Sequence, residues 1–287
     1  MIYDVVHRTS YRYDAPVTLS VGEAHLLPGD LDGQRCLAGE LEVTPEPAHR
    51  RERLDLYGNR VAHFSVREPH TELHITATST IDTSQRPERI GSAAERPWES
   101  LVVDGTSTLD VVELSVDSPL IRRSTDLASY ASRSLGPGVS IGEAIADLSR
   151  RVNTDFTFDP KATDVDTPLA EVMARRRGVC QDFAHVLIGC LRSVGLAAGY
   201  VSGYLETDPP PGRPRLVGAD RTHAWVDVHV GDGVWIGIDP TNDQLAGRRY
   251  LTTAHGRDYR DVPPLKGVIF TEAEESELTV SVDVVAR

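Results

Sequence analysis

Residues 223–239, HAWVDVHVGDGVWIGID, constrain the fold of this chain more than any other stretch. Over 223–230 the apolar positions are Ala224, Val226, Val228 and Val230, and over 234–239 they are Val234, Ile236 and Ile238. Strand side chains alternate between faces, so His223, Trp225, Asp227 and His229 share the opposite face, as do Trp235, Gly237 and Asp239. If both apolar faces meet one core, odd residues oppose odd ones, and a three-residue loop, Gly231 to Gly233, closes a hairpin in that register. Val230 then pairs with Val234, and Trp225 with Asp239. His223 falls one diagonal step from Asp239, at roughly 7–8 Å or less between Cβ atoms, a gap the two side chains can bridge. The pattern predicts a His–Asp dyad on the polar face of a sheet.

The rest of the chain divides around this hairpin. From 1 to 116 the signal is β: ELHITATSTI sets Leu73, Ile75, Ala77 and Ile81 against Glu72, His74, Thr76 and Thr80, the period of a half-buried strand. YGNR at 57–60 offers turn chemistry, with Gly58 and Asn59 able to take positive φ. After DSPL and LGPGVS the period becomes helical. Ser140 and Glu143 form a capping box before Ile141, Ala144, Ile145, Leu148 and Val152. Thr167 and Pro168 open a further helix that Gly178 is expected to end. A third helix begins at Cys180, with Phe183, Ala184, Leu187, Ile188, Leu191 and Val194 along one buried side and Gly195 as its C-terminal cap. Strands follow at 198–205, 223–230 and 234–239, the first two separated by the proline-rich loop ETDPPPGRPR. The fold class expected is α+β, with an N-terminal antiparallel β-domain over 1–116 and a core of helices packed on an antiparallel sheet over 117–287.

Cys180, at the first turn of a helix, sits beside unpaired N–H groups and the positive end of the macrodipole, which lowers a thiol pKa. Arg175, Arg176 and Arg177 stand just upstream as a further source of positive charge, and Asp182 would oppose it if it pointed at the sulfur. Alone, such a cysteine reads as a small buried hydrophobe. With a histidine and a carboxylate on one face of a nearby strand pair, it fits the nucleophile, base and orienter of a thiol hydrolase. Cys180 would attack a carbonyl, His223 would hold the thiolate and protonate the leaving amine, and Asp239 would fix the imidazole. The Cys180 N–H is a ready oxyanion donor.

The motifs GVCQDFAHVLIGCLRSVGL, YVSGYL, HAWVDVHV…VWIGIDPTND and HGRDYRDVPPLKGV, in that order, resemble the bacterial transglutaminase-like family of the papain-like superfamily. YRYDAPV, LYGN and EPHTELHI resemble the β-rich domain that often precedes that core. The resemblance implies a papain-like, transglutaminase-like core whose nucleophile, histidine and aspartate match Cys180, His223 and Asp239. It implies attack on an amide, in a polypeptide or a small molecule, through a thioester, with hydrolysis by a peptidase or deamidase, or transfer to an amine acceptor, as the outcome. Gly199 stands where an arginine is common before YVSGY, and Gly29 follows LLP where arginine is usual. A catalytically silent protein-binding module of the same fold is the alternative, disfavoured because all three residues are present.

Trp225 and Trp235, on the face of the dyad, are read as walls of a substrate cleft. Gln181 and Asp182 are equally explained by capping, Cys190 is assigned to the core and Cys36 to the β-domain, and HGRDYRDV at 255–262 suits a cleft loop and a surface loop alike. No metal or other cofactor is expected: Cys180, His185 and Cys190 point to about 0°, 140° and 280° around their helix and cannot meet on one ion, and no DxDxDG loop for calcium occurs. The 43 acidic against 30 basic residues, a formal charge of −13, argue against nucleic acid as a partner. Three sparse cysteines, the absence of an apolar leader and of any run of about 18 apolar residues lead to an expectation of a cytoplasmic protein without membrane contact.

Overall fold

A computed structural model of the chain describes residues 1–87, 91–207 and 222–287; most of the proline-rich loop predicted after residue 205 lies outside them. The N-terminal region forms β1 (Ile2–Leu27), β2 (Arg35–Thr44), β3 (His49–Leu54), β4 (Arg60–Val66) and β5 (His70–Asp82). Short 3-10 turns over 92–101 lead to α1 (Leu109–Glu113), α2 (Thr125–Ala131) and α3 (Ile141–Asp155). Next come β6 (Thr157–Phe158), α4 (Leu169–Arg175), β7 (Arg177–Gly178) and α5 (Cys180–Ser193). The core sheet is built from β8 (Ala198–Leu205), β9 (Thr222–Gly231), β10 (Val234–Asp239), β11 (Gln244–Leu245) and β12 (Tyr250–Gly256). The chain ends with β13 (Leu265–Thr271) and β14 (Ser276–Ala286).

The core sheet runs β11-β10-β9-β8-β12, all antiparallel. Ala224, Val226, Val228, Val230 and Ile238 bury against α5, as the alternation requires, in one cluster with Phe183, Ala184, Leu187, Ile188 and Leu191. α5 was expected to bury one side only. It buries every residue from Gln181 to Arg192, because α2, α3 and α4 enclose the surface the sheet leaves free. Gly195, at φ +84°, ends it, with Leu196 N–H reaching back to Leu191 O, a left-handed cap.

The other large sheet is organised by β1, whose first half lies between β5 and β14 and whose second half lies between β4 and β13. β5 alternates as its sequence predicts. The division at 116/117 differs from this sheet membership: residues 265–286 pair with β1, so the last two strands complete the N-terminal sheet rather than the core. β13 is mostly exposed, whereas β14 alternates Leu278, Val280, Val282 and Val284 with polar residues. Removing an unpaired edge from the long β1 is the physical gain.

Two buried amides join the sheets. Gln34 Nε2 donates to Thr252 O and its Oε1 accepts Thr252 N–H, each at 2.9 Å. Asn59 Nδ2 donates to His255 O at 2.7 Å and its Oδ1 accepts His255 N–H at 2.8 Å. Both act on β12, an edge strand, and satisfy its free ladder groups as a further strand would. Asn59 therefore does not serve as a positive-φ turn residue; Gly58 does, at φ +79°. Beside them Tyr3, Val5, Ile81, Tyr204, Leu251, Val282 and Val284 form an apolar seam between the sheets, with His7 Nδ1 and Tyr204 Oη 3.0 Å apart.

Candidate functional site

The hairpin closes differently from the expected three-residue loop. Val234 pairs with Gly231 and Trp235 with His229, leaving Val230 as an extra residue and a two-residue turn, Asp232 at φ +53° and Gly233 at φ +73°. A bulge of this kind absorbs one residue without shifting the strand body. Ile238 still pairs with Val226, so Asp239 comes beside Trp225 in the predicted register. Val234, at the hairpin tip, is exposed rather than buried.

The register brings His223 Nε2 to 2.7 Å from Asp239 Oδ2. Asp239 is fully buried, and four further hydrogen bonds hold it: Tyr250 Oη (2.7 Å) and Asn242 Nδ2 (2.6 Å) donate to Oδ2, and the N–H groups of Thr241 (2.8 Å) and Asn242 (3.3 Å) to Oδ1. Tyr250 Oη in turn accepts from Gln244 Nε2 at 2.6 Å. Burial alone would raise the Asp239 pKa, but the bonds and charge of His223, with Asn242 and Tyr250, bring it below the ordinary carboxylate value. Burial likewise opposes a charged His223, yet the bond and charge of Asp239, with a contribution from Cys180, lift its pKa to about 10. His223 and Asp239 thus meet as the hairpin register predicts, and Cys180 is one of the groups whose charge acts on the imidazole.

Local sequence explains how Cys180 is presented. Helix α4 ends at Arg175, with Arg176 left-handed at φ +54°; Gly178 is therefore not its stop. Gly178 instead gives room to Asp182, whose carboxylate folds back where a Cβ on residue 178 would stand. Asp182 Oδ2 accepts Val179 N–H (2.8 Å) and Thr163 Oγ1–H (2.6 Å), capping α5 with its charge aimed at the chain before the helix. Gln181 Nε2 donates to Val165 O at 3.0 Å. The upstream arginines are engaged elsewhere: Arg175 with Glu171, Arg176 over the rings of Tyr130 and Phe156, and Arg177 toward Asp159.

Loop 255–262 returns to the site. Tyr259 N–H donates to His185 Nε2 at 3.2 Å, and the rings of His185, Tyr200 and Tyr259 pack together. Burial first, then the charge of Cys180, raises the Tyr200 hydroxyl pKa. Burial keeps His185 neutral, with a pKa of about 4. Below it, Arg192 is 1% exposed and donates to the carbonyls of Leu114, Val116, Ala198 and Arg257 and to Ser118 Oγ, tying the loop to the segment after α1. Asn242, Tyr250, Tyr200 and Tyr259 were not singled out by sequence. Only Asn242 had a local signal, as the third residue after an aspartate that starts a turn.

Trp225 and Trp235 share the dyad's face, as alternation predicts. Trp225 is 1% exposed, with its ring 6.3 Å from that of His223 and 5.2 Å from that of Tyr250. Both tryptophans line a cleft of about 690 Å³ between the two sheets, whose walls do not include Cys180, His223 or Asp239. Cys190 is fully buried with its thiol pushed up to about 12 by burial. Cys36 is half-buried, its thiol pKa also raised by burial.

Comparison with known proteins agrees with this architecture. Residues 3–82 match the bacterial transglutaminase-like N-terminal region and residues 128–240 match the transglutaminase-like superfamily. An uncharacterized protein of Mycobacterium tuberculosis (strain H37Rv) is 45% identical over 99% of this chain and 92% of its own length. A protein-glutamine gamma-glutamyltransferase of Pseudomonas aeruginosa is 32% identical over 101 residues, 34% of this chain and 15% of that protein. Among solved structures, a provisionally assigned cysteine protease from Cytophaga hutchinsonii superposes with a TM-score of 0.73 at 19% identity, covering 98% of this chain and 90% of the other, and so shares its fold. With both of its family regions matched in order, the chain is a member of the bacterial transglutaminase-like family.

Proposed function

We propose that the protein is a thiol enzyme that opens an amide through a thioester on Cys180. The observation that carries this is the His223–Asp239 hydrogen bond at 2.7 Å, with Cys180 among the groups that raise the pKa of the same imidazole. In this reading Cys180 Sγ attacks the amide carbon, and the oxygen takes the negative charge beside the free N–H groups at the start of α5. The proton on His223 passes to the departing nitrogen as the C–N bond breaks, and the acyl group stays on sulfur. His223, now neutral, takes a proton from the next nucleophile. Water as that nucleophile gives hydrolysis, and a primary amine gives a new amide.

Asp239 keeps its charge throughout and stabilises the imidazolium, as its hydrogen-bond set favours the carboxylate. The local likeness to a protein-glutamine gamma-glutamyltransferase supports a carboxamide as the group attacked and an amine as one acceptor. The test is to incubate the protein with glutamine-containing peptides, quench in acid and weigh it intact. An acyl adduct on Cys180 that hydroxylamine removes, absent from Cys180→Ala, is the expected result. No adduct on the wild type across the panel, with Cys180 no more reactive to iodoacetamide than Cys36, refutes the proposal. Adding a primary amine then separates transfer from hydrolysis by product mass.

A further inference from the structure

The cleft beside Trp225 has its own chemistry. Asp227 lies on β9 directly between two glycines, Gly199 on β8 and Gly237 on β10. Neither neighbour has a side chain; Ala246 covers Gly237, and Asp227 and both glycines are among the residues lining the 690 Å³ cleft. A Cβ on Gly199 would meet Leu114 and Gly256 O at 3.4–3.6 Å, so a side chain there would grow into the cleft rather than be stopped at once. The volume is that of a site for a small molecule.

Charge and surface define what fits. Asp32, Asp110, Glu113 and Asp227 line the cleft against one guanidinium, that of Arg86. Arg86 is committed to the framework, with Nη2 at 2.5 Å from Thr252 Oγ1 and 3.2 Å from Gln34 Oε1. Asp227 Oδ2 lies 3.2 Å from His255 Nδ1, while His255 Nε2 is buried with no hydrogen-bond partner. That combination disfavours an anion, which four carboxylates repel. Trp235, partly exposed, supplies an aromatic wall with the buried Trp225 behind it, and an indole face attracts a cation while covering an alkyl chain. At the rim, Leu56 and Leu109 are each 82% exposed, apolar surface that an alkyl stem would cover.

We propose that this cleft binds a small organic cation, an alkylamine or alkylguanidine, with its charged head beside Asp227 and its alkyl chain against Trp235 and the rim leucines. The site is separate from Cys180 and does not rest on the thioester reading. Trp225 is the element common to both, one face of its surroundings being the cleft and the other the His223 ring.

Calorimetric titration of the full chain tests this with agmatine and hexylamine as probes and hexanoate and hexanol as length-matched controls. Both cations should bind saturably, with a midpoint below about 1 mM, and both controls should bind at least about tenfold more weakly. Asp227→Asn should weaken agmatine about tenfold or more, and Gly199→Leu should abolish binding by filling the cleft. Melting curves check that each variant folds; if Gly199→Leu does not, Gly199→Ala and Asp227→Asn carry the test. Protein alkylated at Cys180 should bind agmatine unchanged. No saturable heat with either cation, equal binding of hexanol, an unaltered midpoint in folded Asp227→Asn, or loss of binding on alkylation of Cys180 would each overturn the proposal. A blocked arginine peptide, compared with agmatine, then tells a free amine from the side chain of a polypeptide.

Discussion

Replacing Asp239 by Asn removes one negative charge while keeping the size of the side chain, and the structure sets the expected consequence. At 2.7 Å between His223 Nε2 and Asp239 Oδ2, two unit charges in surroundings of effective dielectric about 20 interact by about 6 kcal/mol, or about 4 pKa units. That is the size needed to hold a buried imidazole at about 10 against an ordinary value of about 6.5. In Asp239→Asn, burial is opposed by Cys180 alone, so the His223 pKa should fall by at least about 2 units. The assay is a pH titration of the ring nitrogens by NMR on protein labelled with ¹⁵N-histidine, with His223→Gln to assign the signal. The thermodynamic counterpart has a definite sign. A group whose pKa is raised by folding stabilises most below its unfolded value, near 6.5, and loses that contribution as pH rises through about 10. This alkaline slope should flatten in Asp239→Asn. A His223 pKa within about half a unit of wild type in the folded variant would refute the charge-pair reasoning.

Tyr250→Phe removes the hydroxyl that bonds Asp239 Oδ2 and strands the Gln244 amide; a stability loss of about 1.5–3 kcal/mol is expected in urea melts, and no loss would show the hydroxyl to be dispensable. Arg192→Met leaves the carbonyls it serves, those of Leu114, Val116, Ala198 and Arg257, without their donor, so a loss of about 3–5 kcal/mol should follow, with a wild-type melting temperature as the contrary result. His7 is buried, and burial lowers its pKa to about 4, so the unfolded chain binds its proton first on acidification. Stability held above about pH 6.5 should be lost as pH falls through about 4, and His7→Gln should reduce that loss in urea titrations at pH 7 and pH 4.5.

Most of the site was legible because it is local in the right way. Alternation over 223–239 fixed the faces, and a bulge at Val230 left the strand body in register, so His223 and Asp239 met without knowledge of the rest of the fold. Helix α5 was readable from its apolar period and from Gly195, a glycine doing what glycine does at a helix end. The end of α4 was not, because Arg176 takes a left-handed conformation that its side chain does not advertise. Tyr250 was invisible for another reason: it reaches Asp239 across a connection from a different strand. Asn59 reads as a turn residue and Gln34 carries no signal, since an amide that completes a distant strand edge leaves no period in its own neighbourhood. The pairing of β13 and β14 with β1 joins residues more than 240 positions apart; the alternation of Leu278, Val280, Val282 and Val284 announces a strand but not which strand it pairs with.

That last pairing has a consequence for how the protein is made. During synthesis β1 leaves the ribosome before the core and β14 after it, so one flank of the longest strand waits, with its amides unpaired, while the whole thiol-bearing core is built. A strand flank left open this way is a template for another nascent copy. Expression should therefore be sensitive to translation pauses between the codons for Gly256 and Leu265, where the core is complete and the flank is still bare.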